Sequence, residues 1–113
     1  MNISWSEIKP YENELPTNYA DRIGRLYTDT VTAAFKKSNG QFFTPVSIAY
    51  FMGKQISVNK DSVSVLDPGC GTAILSCAMI ENLVLQSKVK QIELVTYETD
   101  ENLIPGLQKV LEY

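Results

Sequence analysis

The sequence predicts an α/β protein in which part of a doubly wound parallel sheet is preceded by N-terminal helices. Two short β-rich segments alternate with two helical segments in the second half of the chain, and a glycine-rich turn directly follows the first strand. The 113 residues include 44% hydrophobic and 20% charged residues, which is close to ordinary globular composition. One domain with a packed core is therefore expected.

The N-terminal part predicts an arm followed by a long helix. Residues 1–16 contain two prolines and no clear periodicity, which indicates an irregular arm. Residues 18–37 place apolar side chains three or four positions apart, the spacing of one face of an amphipathic helix. Thr17 or Asn18 is expected to cap this helix.

A second helix is predicted over residues 45–56. Thr44 is expected to be its N-cap, and Pro45 suits the first helical position because no useful donor is lost there. Both helices are interpreted as a lead-in to the α/β part, so that residues 17–113 form one unit.

The α/β part follows from the order of its segments. Residues 62–66 predict a strand, residues 67–71 a turn, and residues 73–85 an apolar helix. A second strand is expected over residues 92–97. The last helix is expected from about Pro105, since a proline deeper inside a helix would remove a hydrogen bond.

Composition excludes several classes of function. A net charge of −3 argues against a free-standing nucleic-acid binder. There is no His, and Cys70 and Cys77 alone cannot form a zinc finger or a Cys/His nucleophile pair, so no metal site is expected. No apolar run is long enough for a membrane helix and no signal peptide is recognisable, so a cytoplasmic protein with reduced thiols is predicted.

The segment VLDPGCGTAILS carries the strongest chemical signal. Gly69 and Gly71 would let a ligand approach the backbone closely at the N-terminus of a helix. Asp67 would then face a cation or a hydroxyl group and would repel a phosphate, so a positively charged ligand fits better. An ordinary tight turn between a strand and a helix is the alternative for Gly-x-Gly alone.

A second acidic position follows the next predicted strand. Glu98 stands at its carboxyl end, where a carboxylate can accept hydrogen bonds from both hydroxyls of a ribose. Taken alone, Glu98 and Asp100 fit an exposed strand end or a helix cap equally well. The two motifs together are much more informative than either one.

The order GQFFTP, LDPGCGT and YETD resembles the N-terminal end of S-adenosylmethionine-dependent DNA adenine-N6 methyltransferases of restriction-modification systems. The resemblance covers roughly residues 17–112, and Phe-Phe-Thr-Pro is its discriminating element because glycine-rich loops followed by an acid also occur in dehydrogenases. It implies a partial Rossmann-like methyltransferase fold, S-adenosylmethionine as cofactor, and DNA as the partner of the complete parent protein.

The resemblance also implies roles position by position. It places the methionine carboxylate at Thr44, the methionine ammonium near Asp67 and the ribose hydroxyls at Glu98. The other implied cofactor neighbours are the walls Phe42 and Phe43, the loop residues Gly69, Cys70 and Gly71, and Thr99 and Asp100 beside the adenine. The alternatives are that the two Phe side chains pack in the core and that Thr44 is only a helix cap.

Two departures from the family pattern imply a weaker or reshaped cofactor site. Thr99 replaces a larger apolar residue, and Ala73 stands in the place of a third small glycine.

One family element is absent from the sequence. The resembled enzymes bind the adenine amino group with an Asn/Asp-Pro-Pro-Tyr/Phe segment, and no such string occurs here. Methyl transfer to an exocyclic amine needs acceptors for the amino hydrogens and an aromatic surface under a flipped base. A truncated chain that is inactive alone is therefore expected. Its first strand would present an unpaired edge, which favours self-association or pairing with a complementing chain.

Three other functions remain open. A degenerate methyltransferase-like subunit could serve as a binding or scaffold module, which Thr99 and Ala73 favour. An RNA or protein methyltransferase is disfavoured by the Phe-Phe-Thr-Pro element. A nicotinamide-dependent oxidoreductase is disfavoured because Asp67 and Pro68 stand where a pyrophosphate needs glycine and no negative charge.

Overall fold

The structure is a computed structural model that describes residues 3–30, 43–86 and 88–113. The predicted alternation of strands and helices is confirmed. None of the helices in the described residues is long and apolar enough to cross a membrane. The elements are a short 3₁₀ helix (Trp5–Glu7), α1 (Pro16–Thr28), α2 (Val46–Gly53), β1 (Ser62–Pro68), α3 (Ile74–Leu85), β2 (Gln91–Tyr97) and α4 (Ile104–Leu111).

Strands β1 and β2 form a parallel two-stranded sheet in which Ser62 lies opposite Gln91. Parallel pairing requires a crossover connection, and α3 supplies it. The prediction that the turn begins at Asp67 is wrong, because the ladder continues through Asp67 to Pro68 opposite Tyr97. Pro68 is tolerated since it ends the strand. The sheet is consistent with the predicted α/β class, and the complete doubly wound arrangement stays a prediction.

Helix α1 is shorter than predicted and begins slightly earlier. Pro16 occupies its first turn, where a missing N–H removes no helical hydrogen bond, so the start at Thr17 or Asn18 is corrected. The helix ends at Thr28, and the backbone N–H of Thr30 donates to the carbonyl of Tyr27 at 2.9 Å. Residues 31–42, into which the helix was predicted to continue, lie outside the described residues.

Helix α2 differs from its prediction at both ends. Pro45 is its N-cap, with φ −59° and ψ 146°, and no side chain caps the helix, so the prediction of Thr44 as N-cap is wrong. The helix ends at Gly53, three residues before the predicted end. At this point α2 crosses α3 closely, since a Cβ atom on Gly53 would lie 3.0 Å from the carbonyl carbon of Ala78.

The hydrophobic core lies mainly among the helices. Helix α1 packs against both α3 and α4, while α2 packs against α3. Two of the core residues, Ala20 and Ala78, are small and almost completely buried. The core residues are Tyr19, Ala20, Ile23, Ala49, Ala73, Ile74, Cys77, Ala78, Leu107 and Val110.

The two faces of the sheet differ in exposure. Alternate positions of each strand are partly buried, and Val65 is the buried residue of β1. The other face is open, with Leu66 64% and Tyr97 61% exposed, and Val95 lies opposite Leu66 in the ladder. We call Leu66, Val95 and Tyr97 the open-face patch.

One carboxylate joins three helices. Glu81 on α3 accepts a hydrogen bond from the backbone N–H of Thr17 at 3.0 Å and another from the Thr17 hydroxyl. Its second oxygen accepts from the hydroxyl of Tyr50 on α2 at 3.0 Å. The first turn of a helix has unpaired N–H groups, so a carboxylate there satisfies a donor and complements the helix dipole.

The described part of the N-terminal arm packs against the helices. A Cβ atom on Gly106 of α4 would lie 2.9 Å from the ring of Trp5, which therefore covers this glycine directly. The hydroxyl of Tyr19 donates to the carbonyl of Ile8 at 2.9 Å. Trp5 and Ile8 also pack against the hydrophobic core.

Candidate functional site

The loop between β1 and α3 adopts a backbone conformation that requires small residues. Gly69 and Gly71 have φ values of +70° and +59°, in the left-handed region that favours glycine. Ala73, the N-cap of α3, also has a positive φ of 66°, which strains an alanine by about 1 kcal/mol. A Cβ atom on Gly69 would meet no atom within 4 Å, so a ligand can approach the backbone at this position.

Two hydrogen bonds connect this loop to the end of β2. The N–H of Cys70 donates to the carbonyl of Tyr97 at 2.9 Å, and the N–H of Gly71 donates to Oε1 of Glu98 at 2.9 Å. The other oxygen of Glu98 accepts from the N–H of Asp100 at 2.8 Å. The N–H groups of Cys70 and Gly71 therefore already have acceptors inside the protein, which disfavours their use as hydrogen-bond donors to a phosphate.

Asp67 is held by a residue to which the sequence analysis gives no role. The hydroxyl of Ser76, in the first turn of α3, donates to Oδ2 of Asp67. Ser76 is only 1% exposed, whereas Asp67 is half-buried. Within the described residues no hydrogen bond is made to Oδ1 of Asp67. A lone polar residue inside the apolar run of residues 73–80 is the sequence signal that could have identified Ser76.

The structure brings Phe43 into contact with the glycine loop. A Cβ atom on Gly71 would lie 3.0 Å from Cε1 of Phe43, and one on Gly24 of α1 would lie 3.5 Å from Cδ2. The half-buried ring thus fills the space between α1 and the loop. Thr44 follows directly, is half-buried, and makes no hydrogen bond through its hydroxyl within the described part of the chain. Phe42 lies outside the described residues.

The last two predicted cofactor neighbours have different surroundings. Thr99 is exposed, whereas Asp100 is buried. Asp100 accepts hydrogen bonds from the hydroxyl of Tyr27 on α1 and from the N–H of Asn102 at 3.0 Å. These contacts anchor the turn that leads into α4. The contact of Thr99 and Asp100 with an adenine stays a prediction.

The loop is an acidic environment. Neither Asp67 nor Glu98 takes part in any of the ion pairs of the described residues. Burial, together with the Asp67 and Glu98 carboxylates, raises the pKa of the Cys70 thiol to about 11 against the effect of a Thr96 hydrogen bond. A negative potential of this kind favours a ligand with positive charge.

The two thiols lack the properties of nucleophiles. The Cys77 thiol is buried in the core, and burial followed by nearby carboxylates raises its pKa to about 12. Cys70 is likewise protonated at neutral pH. No group of three or more His, Cys, Asp or Glu side chains that could hold a metal ion occurs in residues 3–30, 43–86 and 88–113.

A parallel β-α-β unit with a glycine-rich loop after its first strand and an acid after its second is typical of proteins that bind a nucleoside cofactor. The family model described as N-6 DNA Methylase matches residues 19–105, and the chain belongs to this family. The resemblance inferred from the sequence is confirmed at this level.

Two curated relatives are similar to parts of the chain. The Type II methyltransferase M.AccI of Acinetobacter calcoaceticus is 32% identical over 90 residues, which cover 80% of this chain and 16% of that protein. The Type II methyltransferase M.BsuBI of Bacillus subtilis is 38% identical over 77 residues, which cover 67% of this chain and 15% of that protein. The chain thus spans about a sixth of the length of these relatives. No solved structure matches it.

Proposed function

We propose that this chain forms the S-adenosylmethionine-binding part of a DNA adenine-N6 methyltransferase of a restriction-modification system. The observation that carries the proposal is the contact between Phe43 and Gly71. It joins the Phe-Phe-Thr-Pro segment to the glycine loop, and the bond from Gly71 to Glu98 joins the loop to the third motif. Family membership and the names of the two relatives support the same assignment.

The donors and acceptors at the loop fit this cofactor. When bound, the cofactor supplies a methyl group on a positively charged sulfur, together with an ammonium group, a carboxylate and a ribose diol. Oδ1 of Asp67 has the acceptor capacity that an ammonium group requires. Each oxygen of Glu98 accepts one backbone N–H and keeps a second lone pair for a ribose hydroxyl.

The remaining residues have supporting roles in this proposal. The open space beside Gly69 admits the ligand to the backbone. The ring of Phe43 lies against Gly71 on one side of the loop. The Thr44 hydroxyl, which makes no hydrogen bond within the described residues, would bind the methionine carboxylate. The negative carboxylates of Asp67 and Glu98 would attract the positive sulfonium and ammonium groups. In the described residues neither carboxylate forms an ion pair with a cationic side chain.

We further propose that these 113 residues do not methylate DNA alone. The sequence contains no Asn/Asp-Pro-Pro-Tyr/Phe segment to orient the adenine amino group. DNA is thus proposed as the substrate of the whole protein. The strained Ala73 favours one second candidate, a methyltransferase-like subunit that acts as a binding or scaffold module.

Calorimetric titration with S-adenosylhomocysteine tests the cofactor proposal. The wild-type chain should bind, and Glu98→Ala should weaken binding at least about tenfold, because the ribose loses two charge-assisted hydrogen bonds. Glu93→Ala is the matched control, since Glu93 is an exposed acid on β2, the strand that directly precedes Glu98. It should bind as the wild type does.

Two results would contradict the proposal. A folded wild-type chain that binds no S-adenosylhomocysteine at millimolar concentration would exclude cofactor binding and favour the scaffold candidate. Transfer of radioactive methyl groups to DNA by the purified chain would show that it is active alone.

A further inference from the structure

We propose that Ser76 is a positioning residue of the cofactor site, which holds one oxygen of Asp67 so that the other is presented to the ammonium group of the ligand. The inference rests on the proposed function and assigns a role to a residue outside GQFFTP, LDPGCGT and YETD. Ser76 belongs to α3 and lies nine positions after Asp67 in the chain.

Ser76 is buried, and its hydroxyl donates a hydrogen bond to Asp67. The residue is 1% exposed and follows Ile74 and precedes Cys77, which are both in the core. A buried hydroxyl without a partner is unfavourable, and Asp67 is its hydrogen-bond partner in the described residues. The serine hydroxyl therefore donates to the carboxylate and is shielded from competing water.

The two oxygens of Asp67 differ in their hydrogen bonding. Oδ2 is occupied by the Ser76 hydroxyl, whereas Oδ1 has no hydrogen bond within the described residues. The contrast with Glu98 is informative, because backbone N–H groups bind both of its oxygens. The Asp67 side chain would otherwise sample several rotamers, and fixing one before binding lowers the entropy lost when a ligand binds.

The orientation of Asp67 also depends on the two elements that the bond joins. Asp67 lies in the ladder opposite Thr96, near the end of β1, and Ser76 lies in the first turn of α3. The bond thus spans the glycine loop from strand to helix. Its effect should be specific for the ligand group that Asp67 contacts, whereas a general change of the loop would affect every ligand.

A pair of ligands separates these two effects. S-adenosylhomocysteine carries the ammonium group, whereas 5′-methylthioadenosine has the same nucleoside without the amino-acid portion. Ser76→Ala should weaken binding of the first roughly tenfold and leave binding of the second unchanged. Ser76→Cys replaces the hydroxyl with a somewhat larger thiol that is a weak donor, and it should show the same difference between the two ligands as Ser76→Ala. Ser47→Ala is the matched control, since Ser47 is an exposed serine in the first turn of α2.

Two results with these ligands would overturn the inference. An equal loss of affinity for both ligands would show that Ser76 only maintains the loop. Unchanged affinity for S-adenosylhomocysteine in Ser76→Ala and Ser76→Cys would show that the hydroxyl has no role in binding.

A measurement without ligand keeps this inference separate from the proposed function. Three-bond NMR couplings to Cγ of Asp67 should report one rotamer in the wild type and in Ser47→Ala, and rotamer averaging in Ser76→Ala and Ser76→Cys. A single rotamer in every variant would overturn the inference. A wild type that binds neither ligand would refute the proposed function, while the couplings still decide whether Ser76 orients Asp67.

Discussion

The guanidinium group of Arg22 on α1 contacts several residues of the N-terminal arm. Its Nε and Nη2 atoms donate to the two oxygens of Glu14 at 3.0 and 2.8 Å, and Nη2 also donates to the carbonyl of Lys9 at 2.8 Å. The same group lies over the ring of Tyr11, 3.9 Å from the centroid. Several shared contacts make this pair stronger than an isolated exposed ion pair, which contributes about 0–1 kcal/mol.

This ion pair predicts a dependence of stability on pH. The hydrogen bond from Arg22 is the main cause that lowers the pKa of Glu14 below its ordinary value of 4.5, against the opposing effect of burial. A carboxyl group whose pKa is lower in the folded state contributes stability above its unfolded pKa and loses it as the pH falls through the folded pKa. The free energy of unfolding should therefore decrease below about pH 4.5, and less steeply in Glu14→Gln.

Urea denaturation between pH 3 and 7 measures this difference. At pH 7 Glu14→Gln should be less stable than the wild type by about 1 kcal/mol, and the two curves should converge in acid. Parallel curves over the whole range would show that Glu14 does not contribute.

Two important residues were not predicted from the sequence. Glu81 binds Thr17, which is 64 positions away in the chain, and such a pairing has no local pattern. Its only sequence signal is that Glu81 is the one charged residue of α3. Ser76 could have been noticed as a polar residue in an apolar run, but its link to Asp67 depends on how α3 turns back from the loop.

The order of the helices and strands was predictable, whereas their ends were not. Hydrophobic spacing and turn residues identified each element of the described α/β part, because these signals are local. The ends of β1 and α2 depend on the partner strand and on α3, respectively. The three motifs were identified from the sequence, and the structure shows that Phe43, Gly71 and Glu98 meet at one loop.

The crossing of α2 over α3 predicts a strict requirement for glycine. A Cβ atom in Gly53→Ala would lie 3.0 Å from the carbonyl carbon and oxygen of Ala78 and 3.1 Å from the N atom of Met79. Backbone atoms cannot yield as a flexible side chain does, so the variant should lose about 1–3 kcal/mol of unfolding free energy. Urea denaturation measures this loss.

Gly24→Ala is the matched control within α1. Its Cβ atom would meet the hydroxyl oxygen of Thr72 at 3.4 Å and the ring of Phe43 at 3.5 Å, which are ordinary contacts. The higher helix propensity of alanine should leave the variant as stable as the wild type or up to about 1 kcal/mol more stable. Equal stability of Gly53→Ala and Gly24→Ala would contradict the proposed close crossing.

The open-face patch predicts that this chain associates with a second copy of itself or with another protein chain. Parallel sheets are ordinarily covered on both faces, yet Leu66, Val95 and Tyr97 are exposed on one face of this two-stranded sheet. In the described residues β1 pairs with β2 alone, so its other edge also offers unpaired backbone groups. We expect self-association, or binding to another chain that covers the open-face patch or pairs with the other edge of β1.

Sedimentation velocity at several concentrations tests this expectation. The wild-type sedimentation coefficient should rise with concentration, and Leu66→Lys should reduce the rise by placing a charge in the patch. Val84→Lys is the matched control, because Val84 on α3 is 62% exposed and lies outside the open-face patch. A strictly monomeric wild type would contradict the prediction.

The raised pKa of the Cys70 thiol makes the glycine loop less susceptible to oxidation and alkylation. With its pKa raised to about 11, the Cys70 thiol is almost entirely protonated at pH 7. Peroxides and alkylating compounds attack the thiolate form, so the reactive population is very small. Burial, together with the carboxylates that favour a cationic ligand, thus also protects the sulfur between the two loop glycines from oxidation.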